Sequence, residues 1–465
     1  MIALSLTEVA QVTGGSVVVP PGLDPGAVVV DGPVVTDSRE AGPGGLYVAR
    51  VGEHADGHDF VSGAVERGAV AALVTRPVEG VPCVVVADTQ DAFAALAREV
   101  VRRLPGMAVV GITGSSGKTT TKDLLASVLS TAGETVAPIN SLNGEIGVPL
   151  TVCRITPATR YLVVEMGARG IGHLEYLTHI APPQVAIVLN VGTAHVGEFG
   201  SRANIALAKS ELPKAVPPEG LSILNADDPL VAAMAGGLQS RVQFVGRSPE
   251  AEVRAEDVAV DTWGRAAYDL VAPQGRTRVS LQLSGVHHVA NSLAVAAAAL
   301  ELGMPLDRVA AALSAATPMS RWRMEITERP DGVVVVNDAY NANPDSMRAA
   351  LDALAAIATS GARWAILGQM LELGPDGDRE HAAIGSYAAG LGVDHVVAVG
   401  DGARAYGVGE WLPNVDAAHE FLEARLQPGD VVLLKSSRDS GLRWLGDRLA
   451  GTGEWADGNE RTVAP

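Results

Sequence analysis

The stretch GITGSSGKTTTK, residues 111–122, sets a lysine directly after a glycine and threonine hydroxyls directly after the lysine. Ammonium, hydroxyl and backbone N–H groups in that order suit the phosphates of a nucleotide and the Mg²⁺ that accompanies them. The standard phosphate loop is G-x-x-x-x-G-K-[ST], and counting back from Gly117 puts Ile112 where its first glycine should stand. The stretch is therefore a phosphate loop of another kind, or only a glycine-rich turn before a helix. Its surroundings favour the first. MAVVGIT reads as a buried strand and KDLLASVLS as the start of a helix, an order that aims free N–H groups and a helix dipole at an anion. Gly114, Ser115, Ser116, Gly117 and Thr120 then cradle ATP. Lys118 neutralises β- and γ-phosphate charge, and Thr119 ligates Mg²⁺.

Other reactive side chains fall at suggestive places. Glu165 ends the strand YLVVEMG and His195 follows the strand QVAIVLNVG. Both sit at strand carboxyl ends, where open α/β sheets bind ligands. A carboxylate and an imidazole there can hold a hard metal, although a lone histidine is more often structural. Only five of the 35 basic residues are lysines: Lys118, Lys122, Lys209, Lys214 and Lys435. Arginine serves wherever a charge merely faces water, so each lysine is a candidate for work that needs a compact or nucleophilic amine. Lys209, in ANIALAKSEL, has mostly apolar neighbours on a short helix, which also suits a lysine snorkelling off a half-buried face. His287 and Asn291, four apart in GVHHVANSLAVAAAAL, share a helix face; His288 reads as capping or surface polarity.

These residues need a scaffold, and the chain supplies one. At 465 residues, 47% of them hydrophobic, it is too long for one core and too apolar for disorder. The strand–helix alternation predicts an α/β fold of three domains: an N-terminal domain at 1–105, a central parallel-sheet domain at 106–316, and a Rossmann-like domain at 317–450. A polar tail at 451–465 follows. Within the central domain, 251–283 reads as antiparallel strands, and a buried helix ends at Gly303 and Pro305. Cys83 and Cys153 lie in strand-like runs and read as buried free thiols of a reducing cytoplasm. No apolar run has membrane-spanning length, and the start lacks the features of a signal peptide. A net charge of -18 argues against a nucleic-acid partner.

The one-residue deficit in the loop is informative. TGSSGKTT resembles the ATP loop of the Mur ligase superfamily, cytoplasmic enzymes that add amino acids to the peptidoglycan precursor. The resemblance runs collinearly through VVEMGARGIGHLEYLTHIAPPQVAIVLNVGTAHVGEFGS, AKSEL, GVHHVAN, RWRMEI and NDAYNANPDSMRAAL. It implies that Glu165 and His195 bind Mg²⁺, of which two ions are expected. It implies that CO₂ carbamylates Lys209 into an anionic metal ligand, which an arginine could not become. His287, Asn291 and Arg323 join Lys118 in catalysis, with Arg323 at the junction of central and third domains facing the phosphates. Asp338, Asn341 and Asn343 meet the ribose and base, although an Asx turn opening a helix at Pro344 explains them as well.

The N-terminal TDSREAGPGGLYVARVGEHADGHDF resembles a UDP-recognition domain, implying that Ser38, Arg39, Gly57 and His58 lie near a UDP-sugar. NSLNGEIGVPL, LGQMLELGPDGDREH and LLKSSRDS resemble the fourth ligase of the pathway, and the NPR-type motif of the third is absent. The implied reaction joins D-Ala-D-Ala to UDP-N-acetylmuramoyl-tripeptide through an acyl phosphate, with Lys435 and Arg438 as partners for the dipeptide carboxylate. Lys435 also fits a strand-end surface lysine. A monomer is expected. Two alternatives stay open: the third-step ligase adding diaminopimelate or lysine, and an ATP-dependent switch or binding protein.

Overall fold

The computed structural model describes residues 1–52, 55–193 and 196–452. Three α/β units follow one another, each built around its own main sheet. Among the described residues no helix is long and apolar enough to cross a membrane.

The central sheet has nine strands and holds the phosphate loop. Of three adjacent parallel strands in it, Ala108–Thr113 is the middle one, with Tyr161–Glu165 on one side and Val185–Val188 on the other. Neither neighbour follows it directly in sequence, because Thr135–Val136 at the sheet edge intervenes. The chain thus leaves the middle strand in one direction and returns on the other side. That reversal opens a crevice at the strand carboxyl ends, the usual ligand position in such sheets.

Strand alternation decides which side chains face which layer. Val110 and Ile112 point to a cluster with Leu124, Leu125 and Val128 of the helix Lys118–Ser130 and the alanines 296–299 of the helix His288–Glu301. Val109 points to the opposite layer with Val148 and Val152. Gly111 also faces that layer, and a Cβ there would come 2.8 Å from Leu212 Cδ1.

The strands Val253–Val260, Arg265–Ala272 and Gly275–Ser284 extend the sheet as the expected antiparallel meander. The Ala-rich helix ends as read, at Gly303 with φ +86°. A further helix, Leu306–Ala315, begins after Pro305 and was not anticipated.

The N-terminal sheet runs Ser16–Val18, Cys83–Val85, Ala69–Val74, Gly45–Val48, Val34–Val35. The helix Thr89–Arg102 follows, capped by Asp88, whose side chain accepts the N–H groups of Gln90 and Asp91. It packs on the short helix Gly147–Val152, so Phe93, Leu96 and Val100 share one cluster with Val148, Val152 and Ile155. The linker-like residues near 105 therefore join two sheets across a common apolar layer. Cys83 and Cys153 are buried free thiols. Cys153 does not lie in a strand, however. LTVCRI closes the helix Gly147–Val152, with packing on neighbouring helices overriding its β-branched residues.

The third unit orders its strands Glu325–Glu328, Val334–Asn337, Val431–Lys435, Arg363–Leu367, His395–Val399, Glu410–Leu412. All pairs are parallel except the first. Residues 453–465 of the expected polar tail lie outside the described residues.

Candidate active site

The middle strand stops at Thr113 and the helix Lys118–Ser130 begins five residues later. Gly117 bridges them at φ +80°, a left-handed conformation that glycine adopts without strain. The loop is shaped by a residue the sequence reading missed. Asn190 follows the neighbouring strand Val185–Val188, and its Oδ1 accepts the N–H groups of Ser115 and Ser116, each at 3.0 Å. Its Nδ2 donates to Ser116 O at 3.1 Å. The only sequence signal for it is a polar residue just past a buried strand. Lys118 curls back so that Nζ donates to Gly114 O at 2.8 Å. Burial lowers its pKa below the usual lysine range, with Glu165 opposing that shift and Arg323 adding to it. Thr120 is half-buried in the first helical turn.

Glu165 stands in register with Ile112 and is fully buried. Its Oε1 accepts from Ser141 Oγ at 2.8 Å and from Asn143 Nδ2 at 2.6 Å. Oε2 has no partner. A buried carboxylate oxygen without a donor is costly, and a cation relieves that cost. Thr119 Oγ1 lies 3.3 Å from the same Ser141 hydroxyl, which links it to the carboxylate. Among the described residues no three His, Cys, Asp or Glu side chains form a ready cage. The hard oxygens of Glu165 and Thr119 fit Mg²⁺. His195 lies outside the described residues.

Lys209 ends the helix Arg202–Lys209, as expected, but it does not snorkel. The residue is buried, and among the described residues its ammonium has no hydrogen-bond or ion-pair partner. Burial first, and the charge of Lys118 second, hold its pKa well below the ordinary lysine value. Burial thus favours the neutral, nucleophilic form of the amine.

Asn291 packs on Gly117 from the helix His288–Glu301. His287 and Asn291 were expected on one helix face, and His287 stands at the N-cap of that helix with helical backbone angles. The helix begins at His288, and it is His288 Nδ1 that lies 3.4 Å from Asn291 Nδ2. His288 is buried rather than at the surface, and among the described residues its Nε2 has no partner. His287 precedes the helix and bends over Gly285, where a Cβ would lie 2.3 Å from its Cε1. It faces the charges of Asp338 and Lys435, and burial lowers its pKa to about 4.

Arg323 reaches across the domain junction. Its Nη2 donates to Thr119 Oγ1 at 3.2 Å, and its guanidinium lies 4.2 Å from the Tyr340 ring centroid. The adjacent strand ends bring Asp338 to Lys435. Lys435 Nζ donates to Asp338 Oδ2 at 2.6 Å, to Asn341 O at 3.1 Å and to Asp338 O at 3.4 Å. Lys435 is therefore not a surface lysine; buried, it holds the 338–341 loop. Asp338 is occupied too, since its Oδ1 accepts the Met324 N–H at 3.1 Å. Asn343 caps the helix Pro344–Ala356 through Ser346, matching the Asx-type reading, whereas Asn341 is exposed. Arg438 is half-buried with its guanidinium 5.9 Å from the Tyr340 ring. LGQMLELG lines a cavity of about 700 Å³ with Asp378, Asp401 and Arg404; neither Lys435 nor Arg438 lines it.

In the N-terminal domain, His58 Nε2 accepts the Thr75 N–H at 3.0 Å and Nδ1 meets Asp56 Oδ1 at 2.6 Å. That places the ring proton on Nδ1 and leaves no nitrogen for a sugar nucleotide. Gly57 is equally enclosed: a Cβ would lie 2.6 Å from Arg50 N and O. Both residues build the loop. Ser38 is half-exposed and Arg39 exposed, the latter paired with Asp37.

Residues 33–108 match the catalytic domain of the Mur ligase family, 112–299 the Mur ligase middle domain, and 322–438 the Mur ligase glutamate ligase domain. The UDP-N-acetylmuramoyl-tripeptide–D-alanyl-D-alanine ligase of Mycobacterium bovis is 45% identical over 500 residues, spanning 97% of this chain and 98% of its own. MurF from Acinetobacter baumannii superposes with a TM-score of 0.87 at 31% identity, covering 97% of this chain and 99% of its own. MurF from Thermotoga maritima, solved in complex with ADP, gives 0.80 at 28% identity, over 90% and 97%. Likeness along 97% of the chain, together with the matched domains, shows that the protein belongs to the Mur ligase family.

Proposed function

We propose that this chain is an ATP-dependent ligase of the cytoplasm that joins D-alanyl-D-alanine to UDP-N-acetylmuramoyl-tripeptide. The observation that carries the chemistry is the buried Oε2 of Glu165 beside a phosphate loop, without a partner among the described residues, an arrangement that calls for a cation where phosphate charge accumulates. The choice of substrates is supported by the named activity of relatives that match nearly end to end.

A carboxylate becomes a useful acyl donor only when its oxygen can leave. Attack of the tripeptide carboxylate on the γ-phosphorus forms one P–O bond, breaks the bond to ADP and yields an acyl phosphate. The dipeptide amine then attacks the carbonyl carbon, the C–O bond to phosphate breaks, and the amine proton is released. Alignment and charge neutralisation dominate such transfers. Lys118 exchanges its contact with Gly114 O for the β- and γ-phosphates, and Asn190 keeps the loop N–H groups in place. Arg323 brings charge from the third domain as it closes, which also shields the acyl phosphate from water. Lys209 adds its lone pair to CO₂, releasing a proton and becoming a carbamate. With Glu165, Thr119 and His195 it would hold up to two Mg²⁺, which supply electrophilic activation of the phosphate.

The test supplies ATP and UDP-tripeptide with D-Ala-D-Ala, diaminopimelate, lysine and glutamate in competition, and reads the product by mass. Addition of the dipeptide alone is expected. A product carrying diaminopimelate or lysine would move the chain to another step of the same family. Phosphate release without any acceptor would point to a nucleotide switch.

A further inference from the structure

Residues 190–193 lie between the phosphate loop and the third domain, and each has a partner. Asn190 holds Ser115 and Ser116, the Val191 N–H donates to Asp228 Oδ2 at 2.8 Å, and the Gly192 N–H donates to Ser115 Oγ at 2.9 Å. The next donor points the other way. Thr193 N donates across the domain junction to Asp345 Oδ2 at 3.0 Å, and the Thr193 hydroxyl lies 3.3 Å from the same oxygen. Asp345 is the second residue of the helix Pro344–Ala356, held in place by the Asn343 cap.

Gly192 makes this approach possible. A Cβ there would lie 2.2 Å from Asp345 Oδ2 but 3.3 Å from Ser115 Cβ. Gly192 is not among the glycines with positive φ, so its own backbone tolerates a side chain. What excludes one is the carboxylate arriving from the other domain.

We propose that Asp345 is a latch: it seats the third domain on the segment that shapes the phosphate loop, so that closure and ordering of Ser115 and Ser116 occur as one event. Asp345 touches no reacting atom in this role; it is a positioning residue. Its oxygen is needed as an acceptor for the Thr193 N–H, and its charge is dispensable. The proposal rests on the ATP-dependent ligase reading, but its binding and shape readouts need no turnover.

The experiment uses the full chain as wild type, Asp345→Asn, Asp345→Ala, Gly192→Ala and the double variant Gly192→Ala/Asp345→Ala. Binding of a non-hydrolysable ATP analogue with Mg²⁺ is measured by calorimetry, and the radius of gyration by small-angle scattering with and without the analogue. Asp345→Ala is expected to weaken binding about five- to tenfold and to leave the liganded chain more extended. Asp345→Asn, which keeps an acceptor, should stay within about twofold of wild type. Gly192→Ala should match or exceed the Asp345→Ala defect in the wild-type chain. In the Asp345→Ala background, where the clash is gone, it should add less than about twofold. An unchanged radius and affinity in Asp345→Ala overturns the latch. So does an undiminished cost of Gly192→Ala in the double variant. If Asp345→Asn fails as badly as Asp345→Ala, the carboxylate acts through charge on nucleotide or metal, and the latch is wrong. Failure of the ligase reading is separate: wild type would bind nucleotide and close, yet form no amide product.

Discussion

Asn291 occupies the space that a side chain at Gly117 would need, since a Cβ at 117 would lie 2.7 Å from its Oδ1. One glycine therefore meets two demands, a left-handed backbone and a close neighbour. Gly117→Ala incurs about 1–2 kcal/mol of backbone strain in addition to the clash. We expect ATP affinity to fall at least about tenfold while the melting temperature moves by only a few degrees. Calorimetry and thermal melting on the same sample check both, and unchanged affinity would show that the loop tolerates repacking.

Lys118→Ala should abolish ligation and leave the fold intact. Its ammonium opposes charge that grows during phosphoryl transfer, and losing one such group typically costs about 10²–10³ in rate. Near-normal turnover of the purified variant is the outcome that removes Lys118 from the phosphate site.

Lys209→Arg should be nearly inactive despite keeping a positive charge, because a guanidinium cannot carry a carbamate. Lys209→Glu restores an anion at shorter reach and should retain more activity than the arginine variant. An active Lys209→Arg enzyme would falsify the carbamate role.

Lys435 and Asp338 form a buried pair, so breaking it from one side leaves an uncompensated charge. Lys435→Met should destabilise the third domain by about 3 kcal/mol, and adding Asp338→Asn should recover part of that loss. Denaturant melts of the two variants decide the matter; equal stabilities would mean that the pair is not coupled.

His287 titrates at about 4 in the folded chain, below its ordinary 6.5, because burial disfavours its charged form. Between these values the unfolded chain binds a proton that the folded chain resists, so stability falls as pH drops from about 6.5 to 4. His287→Gln should make that decline shallower. Parallel stability curves for wild type and variant across this range would contradict the shift.

The phosphate loop was legible because its glycine, lysine and threonines are contiguous and flanked by a strand and a helix. Glu165 was legible as the polar end of an apolar strand. Asn190, Ser141, Asn143 and Asp345 were not, since sheet order and domain packing bring them to the site from distant segments. The contact of His288 with Asn291 was not legible, because it turns on a single residue at a helix start, where sequence patterns are least definite. The role of Lys435 depended on a partner 97 residues away, beyond any local pattern. His58 resembled a ligand contact, but a neighbouring strand end supplies Thr75 to occupy its second nitrogen.

The apolar layer shared by the helices Thr89–Arg102 and Gly147–Val152 has a consequence during synthesis on the ribosome. Phe93, Leu96 and Val100 leave the exit tunnel before their covering helix does. The cover lies up to about 60 residues further along the chain, about 3 to 12 seconds at ordinary translation rates. In that interval the nascent N-terminal domain presents a sticky face that invites chaperone capture. Ribosome pausing before the helix Gly147–Val152 has left the tunnel should prolong that capture, and pausing after it has emerged should not.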